Sequence, residues 1–85
     1  MTKQMNLMDT VELMSSTDYK ERFKAEYYQT KIRYDKLHDM LIKLEAGTLN
    51  FEPRCGIELL SDQARAMGTY LHILEVRAQI EEIQL

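Results

Sequence analysis

At 85 residues the chain is one small domain, and one Cys with two His excludes an internal disulfide and argues against a Cys/His zinc site, so oligomerisation is left as the way to reinforce a small core. With 45% hydrophobic and 29% charged residues, three Gly and one Pro, the composition is helical and excludes disorder, a turn-rich β fold and a glycine-rich phosphate loop. A formal charge of −3 is too small to claim a nucleic-acid surface or an acidic mimic of one, no apolar run approaches the ~20 residues of a membrane span, and the N-terminus lacks the apolar core of a signal peptide, so the expectation is a soluble intracellular protein with a reduced thiol.

Residues 1–17 form an N-terminal arm. Within it Leu7, Val11 and Met14 have helical spacing, and Asp9 with Glu12 offers an Asp-led cap, which predicts a short helix over 10–15. Residues 18–85 form a helical hairpin. Asp18 followed by Glu21 resembles a capping box, Gly47 suits a left-handed helix end, and Phe23, Tyr27, Thr30, Tyr34, Leu37, Leu41 and Leu44 recur at alternating spacings of four and three. These signals predict a first long helix over 18–46. The only cluster of Gly and Pro, from Gly47 to Gly56, predicts the connecting loop. Beyond it Ile57, Leu60, Ala64, Met67, Leu71, Leu74 and Ala78 repeat the same spacing and predict a second helix over 56–84, antiparallel to the first.

The second helix carries surplus apolar surface. Leu59, Gln63, Ala66, Tyr70, Ile73 and Ile80 form another stripe beside the first, and together the two span about 200° of the circumference, where a helix resting on a core needs about 100° or somewhat more. The N-terminal arm is expected to cover part of the excess and subunit contacts the rest.

Catalysis finds little support. The Glu-x-x-His pairs of carboxylate metal bundles are absent, and Asp35, His38 and Asp39, or His72 and Glu75, read as solvated helix surface in no recognised ligand spacing. Cys55 precedes the second helix without a partner His, and Ser15, Ser16 and Ser61 lie in no nucleophile motif. No catalytic residue, metal or cofactor is expected. Charge is more informative. Residues 18–46 carry seven Lys/Arg against six Asp/Glu, and residues 47–85 three against six, so the first helix is the basic one. Its Lys20, Lys24 and Lys31 fall within about 40° of one another, with Tyr27 and Tyr34 between them and the core stripe. Ammonium groups beside tyrosine rings suit phosphate and base, although the same pattern arises when lysines flank a buried tyrosine stripe as solvated side chains.

The segment Asp18-Tyr-Lys-Glu-Arg-Phe-Lys-Ala-Glu, the loop Phe51-Glu-Pro-Arg-Cys, and Leu59-Leu-Ser-Asp-Gln63 followed by Ala66-Met67, Tyr70, Leu74 and Arg77 resemble a family of small phage anti-CBASS proteins that sponge cyclic oligonucleotides. The resemblance covers about residues 18 to 82. It implies a helical hairpin with a short N-terminal helix, assembled into a homohexamer in the host cytoplasm, which sequesters the second messengers of CBASS defence without cleaving them. It further implies cyclic dinucleotide pockets between paired subunits and cyclic trinucleotide sites where three subunits meet. Tyr19, Lys24, Tyr27, Lys31 and Tyr34 are the dinucleotide candidates by their chemistry. Gln63 to Tyr70 is the stretch matching the trinucleotide site, with Gln63, Arg65, Ala66 and Tyr70 as candidates and Arg65 as the phosphate cation. Two other classes remain open: a protein-binding phage inhibitor, such as an anti-CRISPR or host-factor adaptor, that uses the surplus apolar face, and a sponge for a linear or ADP-ribose-type signal.

Overall fold

The computed structural model describes residues 5–85, so the first four residues of the predicted arm lie outside it. The described residues are all helical, without strands. A turn of 3-10 helix, Leu7–Thr10, runs into the short α1, Val11–Met14; the two long helices are α2, Tyr19–Ala46, and α3, Ile57–Ile80. The dimensions, 43 × 25 × 24 Å, are those of one long helix with neighbours laid along it.

Local chemistry sets each boundary. Asp18 keeps an extended backbone and its carboxylate accepts the Lys20 N–H at 3.0 Å, capping α2. Glu21 does not return the bond, so the expected capping box is a single cap. The true box lies upstream, where the Asn6 amide oxygen accepts from the Asp9 N–H and the Asp9 carboxylate from the Asn6 N–H, at 3.1 and 3.0 Å. It starts the 3-10 turn three residues before the predicted helix and takes Asp9 out of the cap with Glu12. At the other end of α2 Gly47 has φ 75°, a left-handed conformation that lets the Thr48 N–H reach the Lys43 carbonyl at 2.9 Å.

α3 stops at Ile80, four residues short of the predicted end. Glu82 turns left-handed at φ 57°, and the Ile83 N–H bonds back to the Ala78 carbonyl at 2.8 Å. A non-glycine residue in that conformation costs about 1–2 kcal/mol, and burying Ile83 in the core contributes about 1.5–3 kcal/mol, so the turn is favoured over another turn of helix. The long helices therefore differ in length, 28 residues against 24.

The core lies at the end of the hairpin away from the loop. Phe23 and Tyr27 of α2 meet Leu71, Leu74 and Ala78 of α3, closed below by Ile83, with Leu74 fully buried and Tyr28 and Tyr34 packed at the edge. Arg77 lies over the Phe23 ring at 4.9 Å from its centre and also pairs with Glu81 at 3.0 Å. Toward the loop, Leu37, Leu41, Leu44, Leu60, Ala64 and Met67 are only half-buried, because two helices without a third layer leave their flanks open.

Among the described residues the N-terminal helical segment packs on α2 and not on α3. It therefore does not cover the surplus apolar face of the second helix. Only residues 15–18 separate α1 from α2, and four residues reach no more than about 14 Å, so the segment folds back along the helix it leads into. Thr10 is fully buried there, its hydroxyl donating to the Leu7 carbonyl at 2.7 Å and accepting from the Gln29 amide at 2.9 Å; the same amide meets Met14 sulfur at 3.5 Å. Val11 and Met14 of the expected apolar stripe are exposed, while Leu7 and Leu13 are half-buried.

Candidate functional site

A cleft of about 710 Å³ runs along α2 beside the N-terminal segment. Tyr28, Lys31, Ile32, Asp35, Lys36 and Asp39 supply its α2 side, and Met5 with Asn6 forms the other wall. At about 100° per residue, Tyr28, Asp35 and Asp39 lie within about 40° of one another, Ile32 is next to them, and Lys31 and Lys36 flank them on opposite sides. Aromatic and acidic groups thus line the middle of the strip, with a cation on either edge.

The core prepares the aromatic group. Tyr28 stands edge-on to Tyr27, ring centres 5.2 Å apart at 80°, and Tyr27 is itself fixed by donating its hydroxyl to the Glu75 carboxylate at 2.6 Å. Burial, and then this bond to a carboxylate, hold the Tyr27 phenol well above its usual value of 10.0. The charged groups are looser. Lys31 meets both oxygens of Asp35 at 3.4 Å and Lys43 meets Asp39 at 3.3 Å, each pair about half exposed and worth no more than about 0.5 kcal/mol, so these pairs are cheaply broken. Lys36 makes no ion pair among the described residues. It also lines a second cleft of about 500 Å³, shared through Asp39 and continued by Met40, Lys43, Leu49 and Phe51 toward the loop.

Of the five dinucleotide candidates only Lys31 lines the large cleft. Tyr27 is 6% exposed and lies beneath Tyr28 as its support. Tyr34 turns to α3, its ring 3.5 Å from where a Gly68 side chain would begin, and stacks on His38 at 5.8 Å between centres. Tyr19 is exposed at the start of α2 and Lys24 half-buried one turn later. Gln63, Arg65, Ala66 and Tyr70 are all exposed on α3, but Arg65 points about 100–160° away from the other three and pairs with Asp62 at 2.8 Å. One chain does not assemble these four into a site. Asp35, His38 and Asp39, and His72 with Glu75, form no metal ligand set; among the described residues no group of three or more His, Cys, Asp or Glu is placed to hold a metal.

Tyr28, Lys36 and Asp39 are not among the expected binding residues, because the spacing of Tyr27 and Tyr34 marks the core side of α2 instead. The signal was present: Tyr28, Ile32, Asp35 and Asp39 recur at spacings of four, three and four, with Ala25 and Gln29 alongside, a second face on a helix whose main stripe already had a partner.

Residues 17–80 match the Sequestin family. The chain belongs to that family. The match takes in all of α2, the loop and all of α3, and with them every lining residue of the large cleft except Met5 and Asn6. No curated protein and no solved structure matches the chain. No described helix is long and apolar enough to cross a membrane.

Proposed function

We propose that this Sequestin-family chain is a sponge: it binds cyclic di- and trinucleotide second messengers stoichiometrically, without cleaving them, and as a phage protein in the host cytoplasm deprives CBASS effectors of their signal. The observation that carries the reading is the family match across both long helices, since the family name denotes sequestration. A lysine-edged cleft floored by a held tyrosine supplies matching chemistry, with ammonium groups for phosphates and a ring for a base. Turnover is not part of the reading: Cys55 is an exposed loop thiol and the cleft holds no nucleophile beside a base.

Assembly into a homo-oligomer, a hexamer in this reading, is supported by a face of α3 that no other described residue covers. Leu59, Ile73 and Ile80 are 63%, 49% and 75% exposed along it. In the proposed oligomer Arg65 of one chain serves with Gln63, Ala66 and Tyr70 of others, since one chain does not bring the four together. The same apolar face supports a second reading, a phage inhibitor that docks on a host protein. Calorimetric titration with a panel of cyclic di- and trinucleotides and ADP-ribose derivatives decides between them. Binding, with ligand recovered intact after heat denaturation, supports the sponge; no binding to any member, with a host protein captured stoichiometrically, refutes it.

A further inference from the structure

We infer that the N-terminal wall of the cleft opens as a unit of its own: residues 6–15 swing off α2 in one piece while the hairpin stays folded, and the bond between Thr10 and Gln29 is the latch that holds them shut. This holds whatever the cleft binds. Among the described residues the 3-10 turn and α1 pack on each other and on α2, while α3 packs on α2 alone. The core cluster of Phe23, Tyr27, Leu71, Leu74, Ala78 and Ile83 contains no residue of the segment. Releasing the segment therefore breaks none of the contacts that join the long helices, and it leaves the Asp18 cap of α2 in place. Partial opening of this kind requires less free energy than unfolding the whole chain. The joint lies between Ser15, whose N–H bonds back to the Val11 carbonyl at 3.1 Å, and Ser16, whose carbonyl Arg22 of α2 holds at 2.8 Å.

The segment moves as one piece because the capping box of Asn6 and Asp9 closes the 3-10 turn, and that turn runs straight into α1. It is shorter than the ~12–15 residues an isolated helix needs, so its order depends on docking. The docking is thin. Met8, Val11 and Met14 are exposed, Leu7 and Leu13 are half-buried, and Thr10 alone is fully buried. The Thr10 hydroxyl donates to the Leu7 carbonyl inside the segment and accepts from the Gln29 amide across to α2 at 2.9 Å. Among the described residues both side-chain hydrogen bonds from the segment to α2 end on Gln29, the second reaching Met14 sulfur at 3.5 Å. Opening carries Asn6 away from the strip of Tyr28, Lys31 and Ile32, so the cleft has one fixed wall and one movable wall.

The test is hydrogen–deuterium exchange read by mass spectrometry on the full chain in its own assembly, with no ligand added. Peptides covering 6–15 should exchange at least about tenfold faster than those covering 23–27 and 71–78. Thr10→Val keeps the side-chain shape and removes the latch, and should speed exchange in 6–15 about fivefold while leaving the two core peptides unchanged. Gln29→Ala removes the latch from the other side and should do the same. Segment and core exchanging at one rate, or speeding together in both variants, overturns the separate unit. An unchanged rate in 6–15 for both variants overturns the latch.

Discussion

Tyr27 joins the two long helices through one short hydrogen bond, and removing its oxygen isolates that bond. At 2.6 Å to a carboxylate the contact is of the charge-assisted kind, worth about 1.5–3 kcal/mol. Glu75 is exposed, so water replaces the lost partner and Tyr27→Phe should cost about 1.5 kcal/mol, near the lower limit. For a chain of this size that lowers Tm by roughly 6–12 °C. The pH dependence follows from the raised phenol. In the unfolded chain Tyr27 titrates near its ordinary 10.0 and in the folded chain at higher pH, so the contribution is complete below about pH 10 and lost as pH rises through the folded value. The slope is at most about 1.4 kcal/mol per pH unit. Urea unfolding of the wild type and Tyr27→Phe, at one protein concentration from pH 8 to 11, should give a gap that is constant to about pH 10 and then narrows. A gap below 0.5 kcal/mol at pH 8, or one that does not narrow by pH 11, would refute the account of this bond.

Leu74→Ala removes a fully buried side chain from the centre of the core and should cost about 2–5 kcal/mol, enough to leave the chain largely unfolded by circular dichroism if its total stability is only a few kcal/mol. Gly68→Ala should raise stability by about 0.5–1 kcal/mol, since a mid-helix glycine gives way to alanine and the added carbon meets Tyr34 at ordinary contact distance; a lower Tm would mean that the Tyr34 face has no room. Ile73→Glu and Tyr70→Glu should shift the light-scattering mass of the assembly downward while Glu58→Gln leaves it unchanged. A 10 kDa monomer in the wild type at micromolar concentration ends the oligomer proposal.

Much of the hairpin was legible because its signals are local. Asp18 as a cap, Gly47 as a left-handed stop and the alternating fours and threes of Phe23 to Tyr34 act within a turn or two, and the structure follows them. The end of α3 was not, because Ile83 is placed by the core it caps, and nothing in Glu81 and Glu82 announces a turn. The N-terminal segment was misplaced for a related reason. Hydrophobic spacing pointed to Val11 and Met14, yet the segment is anchored by Thr10 against Gln29, a polar pair that periodicity does not register. The cleft depended on that docking, so only Lys31 among the candidate tyrosines and lysines was found from spacing.

The wall made by Met5 and Asn6 stands outside the stretch that matches the family, while the strip it faces stands inside. The molecule thus divides into a chassis and a visor. The chassis holds the ring, the cations and the carboxylates in register on one rigid rod. The visor is tied down by a buried threonine and one glutamine, and in the proposed sponge its shape sets how much of a bound molecule is enclosed. Grafting a different visor onto the same rod would change which ligand sizes fit, while the hairpin core and the order of chemical groups along the rod stayed intact.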